Sequence, residues 1–182
     1  MQAALEPRLT SRFVLPDEPA TVRLGAALAQ AISASTEAIV RNGLVLGLTG
    51  ELGSGKTALV RALLRRLNVD GPVRSPTFSL LELYPVSRLN FYHFDFYRFS
   101  DPQEFTSSGF REFFGPGSVC AIEWPERAGE ANLNIDLLVR MQVVEPGRVA
   151  QIDALTNTAE HCLQEINRIW QAKAGISQDG GC

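Results

Sequence analysis

Gly50-Glu51-Leu52-Gly53-Ser54-Gly55-Lys56-Thr57 is an unbroken G-x-x-x-x-G-K-[ST] pattern, and the chemistry it suits is the binding of a phosphate chain. Three glycines let the backbone curl tightly. Successive N–H groups across Glu51, Leu52, Gly53, Ser54 and Gly55 can then point inward at one anion. Lys56 is spaced to reach the β- and γ-phosphates as a point charge, and the Thr57 hydroxyl to bind Mg²⁺. A chance match is expected in well under ~1 in 100 chains of this length.

Such a loop by itself only binds. Hydrolysis or transfer also needs a way to hold Mg²⁺ and to orient an attacking oxygen. Glu123 closes a short apolar run, the place of the second acidic motif in this kind of fold. Its carboxylate can hold the ion directly or through water, although an ordinary strand-end glutamate has the same sequence context. Asp95 sits among aromatic residues and needs a partner there: the metal, a water, or Arg98 in an ion pair. His93 reads as a packed, hydrogen-bonded histidine rather than a base. Thr77 follows Pro76 in an irregular connection and is suited to sensing a γ-phosphate. Trp124 is suited to stacking on a base or a partner, or to the core.

Positioning these groups takes a strand before the loop and a helix after it. Leu44 to Thr49 is an apolar run of strand length. Beyond the loop, Leu59, Val60, Leu63, Leu64 and Leu67 recur at helical spacing, with Arg61, Arg65 and Arg66 on other faces. That helix N-terminus adds partial positive charge to the phosphate site. Upstream, residues 1–11 read as a flexible leader and Arg12 to Leu15 as a first strand. A helix capped by Asp17 follows, with Pro19 in its first turn and Val22, Leu28, Ala29 and Ile32 on its apolar side, and Asn42-Gly43 ends the segment.

Downstream, Leu80 to Tyr84 and Leu89 to Tyr97 predict a hairpin around Pro85. Alternation puts Leu89, Phe91, His93, Asp95 and Tyr97 on one face and Asn90, Tyr92, Phe94 and Phe96 on the other. Asp101-Pro102-Gln103-Glu104 opens a short helix that stops near Gly109. Val119 to Glu123 is a strand. Leu133 to Val143 and Val149 to Ala154 form a second hairpin across Glu145-Pro146-Gly147-Arg148, and a C-terminal helix carries Cys162, Leu163, Ile166, Ile169 and Trp170. Residues 175–182 read as a flexible tail.

The whole, residues 1–182, is expected to be one domain. It has 45% hydrophobic and 20% charged residues, enough to bury a core without disulfides or a structural metal. A net charge of −3 argues against a general polyanion binder. The three cysteines have no metal-like spacing, and Cys120 reads as a buried thiol. Neither a signal peptide nor a ~20-residue apolar span is present, so no membrane association and a cytoplasmic location are expected.

Together these stretches resemble one family, the bacterial ATPase subunit of the tRNA threonylcarbamoyladenosine machinery, called TsaE and formerly YjeE. The resemblance rests on Leu15-Pro16-Asp17-Glu18 with Ala20-Thr21, the loop Gly50–Thr57, and Ser75-Pro76-Thr77-Phe78. It continues through His93-Phe94-Asp95-Phe96-Tyr97-Arg98, Asp101-Pro102-Gln103-Glu104, Ile122-Glu123-Trp124-Pro125-Glu126-Arg127 and Gly147-Arg148. It runs in order from about residue 13 to about residue 154.

The resemblance implies an α/β P-loop NTPase fold: three layers, α/β/α, around a mixed sheet whose parallel core is extended by antiparallel strands. It implies ATP, ADP and Mg²⁺ as ligands and slow hydrolysis of ATP. It also implies work with the threonylcarbamoyl-transferase subunits TsaB and TsaD, which modify N6 of adenosine 37 in tRNAs reading codons that begin with A; tRNA is engaged indirectly. By position, Lys56 and Thr57 take the phosphate and metal roles and Glu123 the second acidic motif. Asp95 and Thr77 fall in switch-like segments, Trp124 in the stretch linked to partner-dependent function, and Thr21 near the nucleotide's base. Ala58 stands where a second threonine is frequent, which leaves Thr57 alone to supply the hydroxyl.

Two other readings share the loop: a small-molecule or nucleoside kinase, and a nucleotide-gated interaction module with little turnover. A kinase usually needs an arginine-rich lid, for which the connection at 98–117 offers Arg98 and Arg111. The absence of Asn-Lys-x-Asp disfavours a GTPase.

Overall fold

Leu44-Val45-Leu46-Gly47-Leu48 carries no polar side chain, and a strand with no wet face must be covered on both sides. In the computed structural model, which describes residues 6–129 and 133–174, this run is the middle of a seven-stranded sheet. The strands are β1 (Leu9–Leu15), β2 (Leu44–Thr49), β3 (Leu81–Val86), β4 (Leu89–Asp95), β5 (Ser118–Glu123), β6 (Leu137–Val144) and β7 (Gly147–Ala154). Their spatial order is β1-β7-β6-β2-β5-β4-β3. β6, β2, β5 and β4 run parallel, and antiparallel pairs β1/β7, β6/β7 and β3/β4 extend this core on either side. The mixed α/β sheet is the one the resemblance implies.

The helices are α1 (Glu18–Ala34), α2 (Thr36–Asn42), α3 (Lys56–Arg66), α4 (Gln103–Ser107) and α5 (Asn157–Ala174). Leu24, Leu28 and Ile32 of α1, Leu59 and Leu63 of α3, and Leu163 and Ile166 of α5 share one core with Leu89 and Phe91 of β4. Phe94 and Phe96 belong to a separate core on the opposite face, with Phe99, Phe105 and the partly buried Phe110, Phe113 and Phe114. The period-two reading therefore holds within β4, but the strand ends at Asp95, and Tyr97, expected on the face of His93, lies in the turn beyond it. The third layer is thin, built from aromatic side chains on α4 and short 3-10 turns. Cys120 is buried there, and burial pushes its thiol up to about 12. No helix among the described residues is long and apolar enough to cross a membrane.

Several boundaries differ from the sequence reading. β1 begins at Leu9, because residues 9–11 of the expected leader pair with Ile152 to Ala154; residues 1–5 and the expected tail, 175–182, lie outside the described residues. The helix capped by Asp17, whose carboxylate accepts from Ala20 N–H at 2.8 Å, breaks at Ser35 into α1 and α2, and Val22 is 50% exposed rather than on its apolar side. Pro85 lies inside β3, opposite Asn90, and the reversal falls at Ser87-Arg88. β3 is an edge strand, where a residue without an N–H costs no ladder bond. β6 starts only at Leu137, since the Asp136 carboxylate takes the Val45 N–H (2.8 Å) and the Thr156 hydroxyl (2.7 Å) in place of strand pairing.

α1 and α3 pack closely enough to require Gly25. A Cβ there would lie 2.6 Å from the Ala62 Cβ and 2.9 Å from the Leu63 nitrogen. Gly25→Val is expected to destabilise the fold by about 1–3 kcal/mol through overpacking. The urea midpoint should fall at constant m-value, and an unmoved midpoint would show that the helices can separate freely.

Candidate active site

The phosphate loop leaves β2 at Gly50, whose φ is 137° and where a Cβ would come within 2.2 Å of the Met141 carbonyl on β6. Only glycine fits that turn. Gly53 (φ 82°) and Gly55 (φ 104°) complete the curl, and Gly55 caps α3. Ser54 is buried in the loop's wall, while Glu51 and Leu52 stand exposed at its tip.

Lys56 is folded inward and buried. Its Nζ donates to the carbonyls of Gly50 (2.7 Å) and Glu51 (3.0 Å) and lies 3.9 Å from the centre of the Trp124 ring. Burial lowers the pKa of its ammonium, and the carboxylates of Glu123, Glu126 and Asp95 oppose that shift. Trp124 reaches this position through a left-handed backbone (φ 59°, ψ 48°), uncommon for a bulky residue. Its ring also meets Tyr97, at 5.2 Å between centroids.

Thr57, the next residue, donates its hydroxyl to Glu123, with Oε1 at 2.8 Å and Oε2 at 2.9 Å. The strand register explains the meeting: β5 runs parallel to β2 with Glu123 opposite Leu48, so its carboxylate arrives beside the loop. Asp95 is opposite Glu123 on β4. Its Oδ2 accepts from the hydroxyls of Thr77 (2.5 Å) and Ser75 (2.6 Å), and its Oδ1 from Tyr97 N–H (2.9 Å). The possible ion pair with Arg98 is not what it makes; that guanidinium lies over the Phe78 ring, at 4.3 Å. His93 is packed and hydrogen-bonded as read, and its partner is Glu123, at 2.9 Å.

The structure thus brings Lys56, Thr57, Asp95, Glu123, Trp124 and Thr77 around one loop. Among the described residues, Thr21 makes no hydrogen bond to this group. Buried at the start of α1, it is 3.4 Å from Arg148 Nη1, and the Arg148 Nε would lie 3.2 Å from a Cβ at Gly55. Arg148 and Ser75 are site residues to which sequence reasoning gave no role. Both lie in stretches that carry the family resemblance, but what they touch is set by packing. Thr21 also borders a cavity of about 370 Å³ between α1 and α3, lined in part by Glu18, Val22, Ala58, Arg61 and Ala62.

These donors suit a magnesium nucleotide. The turn at Gly50 has room only for backbone, a cation stands in the loop's wall, and the hydroxyl–carboxylate pair is a hard oxygen set. Among the described residues no cluster of three or more His, Cys, Asp or Glu side chains forms a cage of its own. Mg²⁺ is commonly held by one or two carboxylates together with phosphates and water.

A family model described as "Threonylcarbamoyl adenosine biosynthesis protein TsaE" matches residues 15–149. The chain belongs to the TsaE family. A relative named tRNA threonylcarbamoyladenosine biosynthesis protein TsaE, from Haemophilus influenzae, is 33% identical over 153 residues, covering 84% of this chain and 95% of that protein. Its Rickettsia felis namesake is 30% identical over 172 residues, covering 92% and 94%. Among solved structures, that of Bacillus subtilis YdiB superposes with a TM-score of 0.64 at 27% identity, covering 88% of this chain and 94% of that one. In this TsaE-family chain the matched span holds every candidate site residue from Thr21 to Arg148, while α5 lies beyond it.

Proposed function

We propose that this chain is a Mg²⁺-dependent ATPase acting with TsaB and TsaD in the formation of N6-threonylcarbamoyladenosine at position 37 of tRNA. The observation that carries the ATPase reading is the Thr57 hydroxyl bonded to both oxygens of a buried Glu123 directly beneath the phosphate loop. Family membership supports the pathway.

The loop N–H groups and Lys56 bind the phosphates of ATP or ADP. To do so, Lys56 exchanges the Gly50 and Glu51 carbonyls and the Trp124 ring for phosphate oxygens, which are stronger partners for a buried ammonium. Thr57 and Glu123 hold Mg²⁺, which when bound neutralises charge on the phosphates. Asp95, its Oδ1 still able to accept, orients the attacking water, and Thr77 reports the γ-phosphate from the same hydrogen-bond cluster. The cavity beside Thr21 accommodates the base. A kinase lid is disfavoured because Phe99 and Phe105 of the 98–117 stretch are buried in the second core.

The test is ATP hydrolysis measured without an acceptor, alone and with TsaB and TsaD, followed by tRNA modification in the reconstituted mixture. Slow turnover alone, stimulated by the partners and required for sustained modification, is the expected result. Hydrolysis that appears only with a phosphate-accepting small molecule would move the chain to the kinases.

A further inference from the structure

We infer that His93 is a positioning residue: it fixes Oε1 of Glu123 so that Oε2 is left to face the metal. This rests on the reading of Glu123 as a Mg²⁺-holding carboxylate and assigns the group that aims it.

His93 is completely buried, and among the described residues its Nδ1 finds no hydrogen-bond partner. A buried polar atom without a partner costs free energy, which an apolar side chain of similar size would avoid. Packing alone therefore does not account for an imidazole here. Its other nitrogen explains the choice. Nε2 lies 2.9 Å from Glu123 Oε1, and an ionised carboxylate can only accept, so the proton belongs on Nε2 and the unpartnered Nδ1 carries just a lone pair.

The hydrogen-bond count then separates the two carboxylate oxygens. The Thr57 hydroxyl has one proton, shared between Oε1 at 2.8 Å and Oε2 at 2.9 Å. Oε1 takes the His93 N–H as well; Oε2 has no second protein donor among the described residues. The lone pairs that remain for a cation, or for a water held by it, are mainly those of Oε2. The sheet makes this possible: His93 stands opposite Ala121, whose methyl leaves room for the ring to reach Glu123 two residues farther along the same face. Groups that orient a metal-holding side chain in this way typically change metal affinity about 10–100-fold when removed.

The experiment compares two amides of similar polarity. In His93→Gln the side-chain nitrogen falls near the Nε2 position and can still donate to Glu123; in His93→Asn it falls short. ADP binding by the full chain is titrated in EDTA and then against Mg²⁺. Expected for His93→Asn is an unchanged affinity for ADP in EDTA with a Mg²⁺ midpoint raised about tenfold or more, and for His93→Gln a midpoint within about threefold of the wild type. Equal midpoints in the wild type and His93→Asn would overturn this inference alone, as would His93→Gln matching His93→Asn. Equal loss of EDTA and Mg²⁺ affinities in His93→Asn would reduce His93 to a part of the fold. A wild-type chain that binds no ADP would overturn the phosphate-loop reading and, with it, this one.

Discussion

Lys56→Ala is expected to weaken binding of both ATP and ADP by about 10²–10³-fold. Lys56 is a charged donor buried in the loop wall, and charge-assisted hydrogen bonds to a buried partner are worth about 1.5–3 kcal/mol each, of which a phosphate chain offers at least two. Stability should move the other way or hardly at all. Burial depresses the Lys56 pKa, so the charged form is a cost to folding that persists while pH is below the folded-state value and fades as pH rises through it. Removing the ammonium relieves that cost but leaves the Gly50 and Glu51 carbonyls without their donor. The two effects oppose, and the Tm is expected to stay within about 4 °C of the wild type, equivalent to ~1 kcal/mol. Calorimetric titration of nucleotide into a variant with a normal melting curve checks this. Near-wild-type affinity would sink the phosphate-site assignment, and unfolding would mean that the lysine is structural.

What was legible in the chain divides by how the information is stored. The loop is contiguous, and the groups it offers are backbone N–H groups and one adjacent lysine and threonine, so eight consecutive residues suffice to read it. Glu123 was readable although it lies 66 residues from Thr57, because a short apolar strand ending in an acid must, in a parallel sheet, deliver that acid to the same edge as the loop. Faces were readable as well: alternation put Leu89 with Phe91 and Phe94 with Phe96, and two separate cores bear this out.

Alternation does not say which strand lies alongside, and so the partner of His93 was not available until β4 was seen against β5. The Trp124 ring over Lys56 depends on one left-handed residue, and the Arg148–Thr21 approach joins positions 127 residues apart through β7 and α1. Neither has a local signature. The misplaced turn at Pro85 has a related cause: proline signals a reversal only if the strand is internal, and edge position is a property of the finished sheet.

Replacing Glu123 separates binding from turnover. The cleaner variant is Glu123→Gln. Alanine would leave the His93 Nε2–H and the Thr57 hydroxyl facing an empty, buried space, at about 1–3 kcal/mol for each unsatisfied group, whereas glutamine keeps the shape and one acceptor oxygen. Its amide carries no charge for Mg²⁺. Hydrolysis by Glu123→Gln, measured in single turnover at saturating ATP, is therefore expected to fall by about 10² or more, the scale on which removal of one group stabilising transition-state charge is felt. Nucleotide affinity in EDTA should change by less than about tenfold, since the loop and Lys56 remain.

A second consequence fixes the sign of a pH effect. Of the three carboxylates that hold the Lys56 pKa up against burial, Glu123 contributes most. Neutralising it lowers that pKa further, so metal-free ADP binding by the variant should begin to weaken at a lower pH than in the wild type as the ammonium loses its proton. Turnover unchanged in Glu123→Gln would remove this residue from the mechanism. A lost turnover with an unshifted pH limb would leave Glu123 with the metal but sever its electrostatic tie to Lys56.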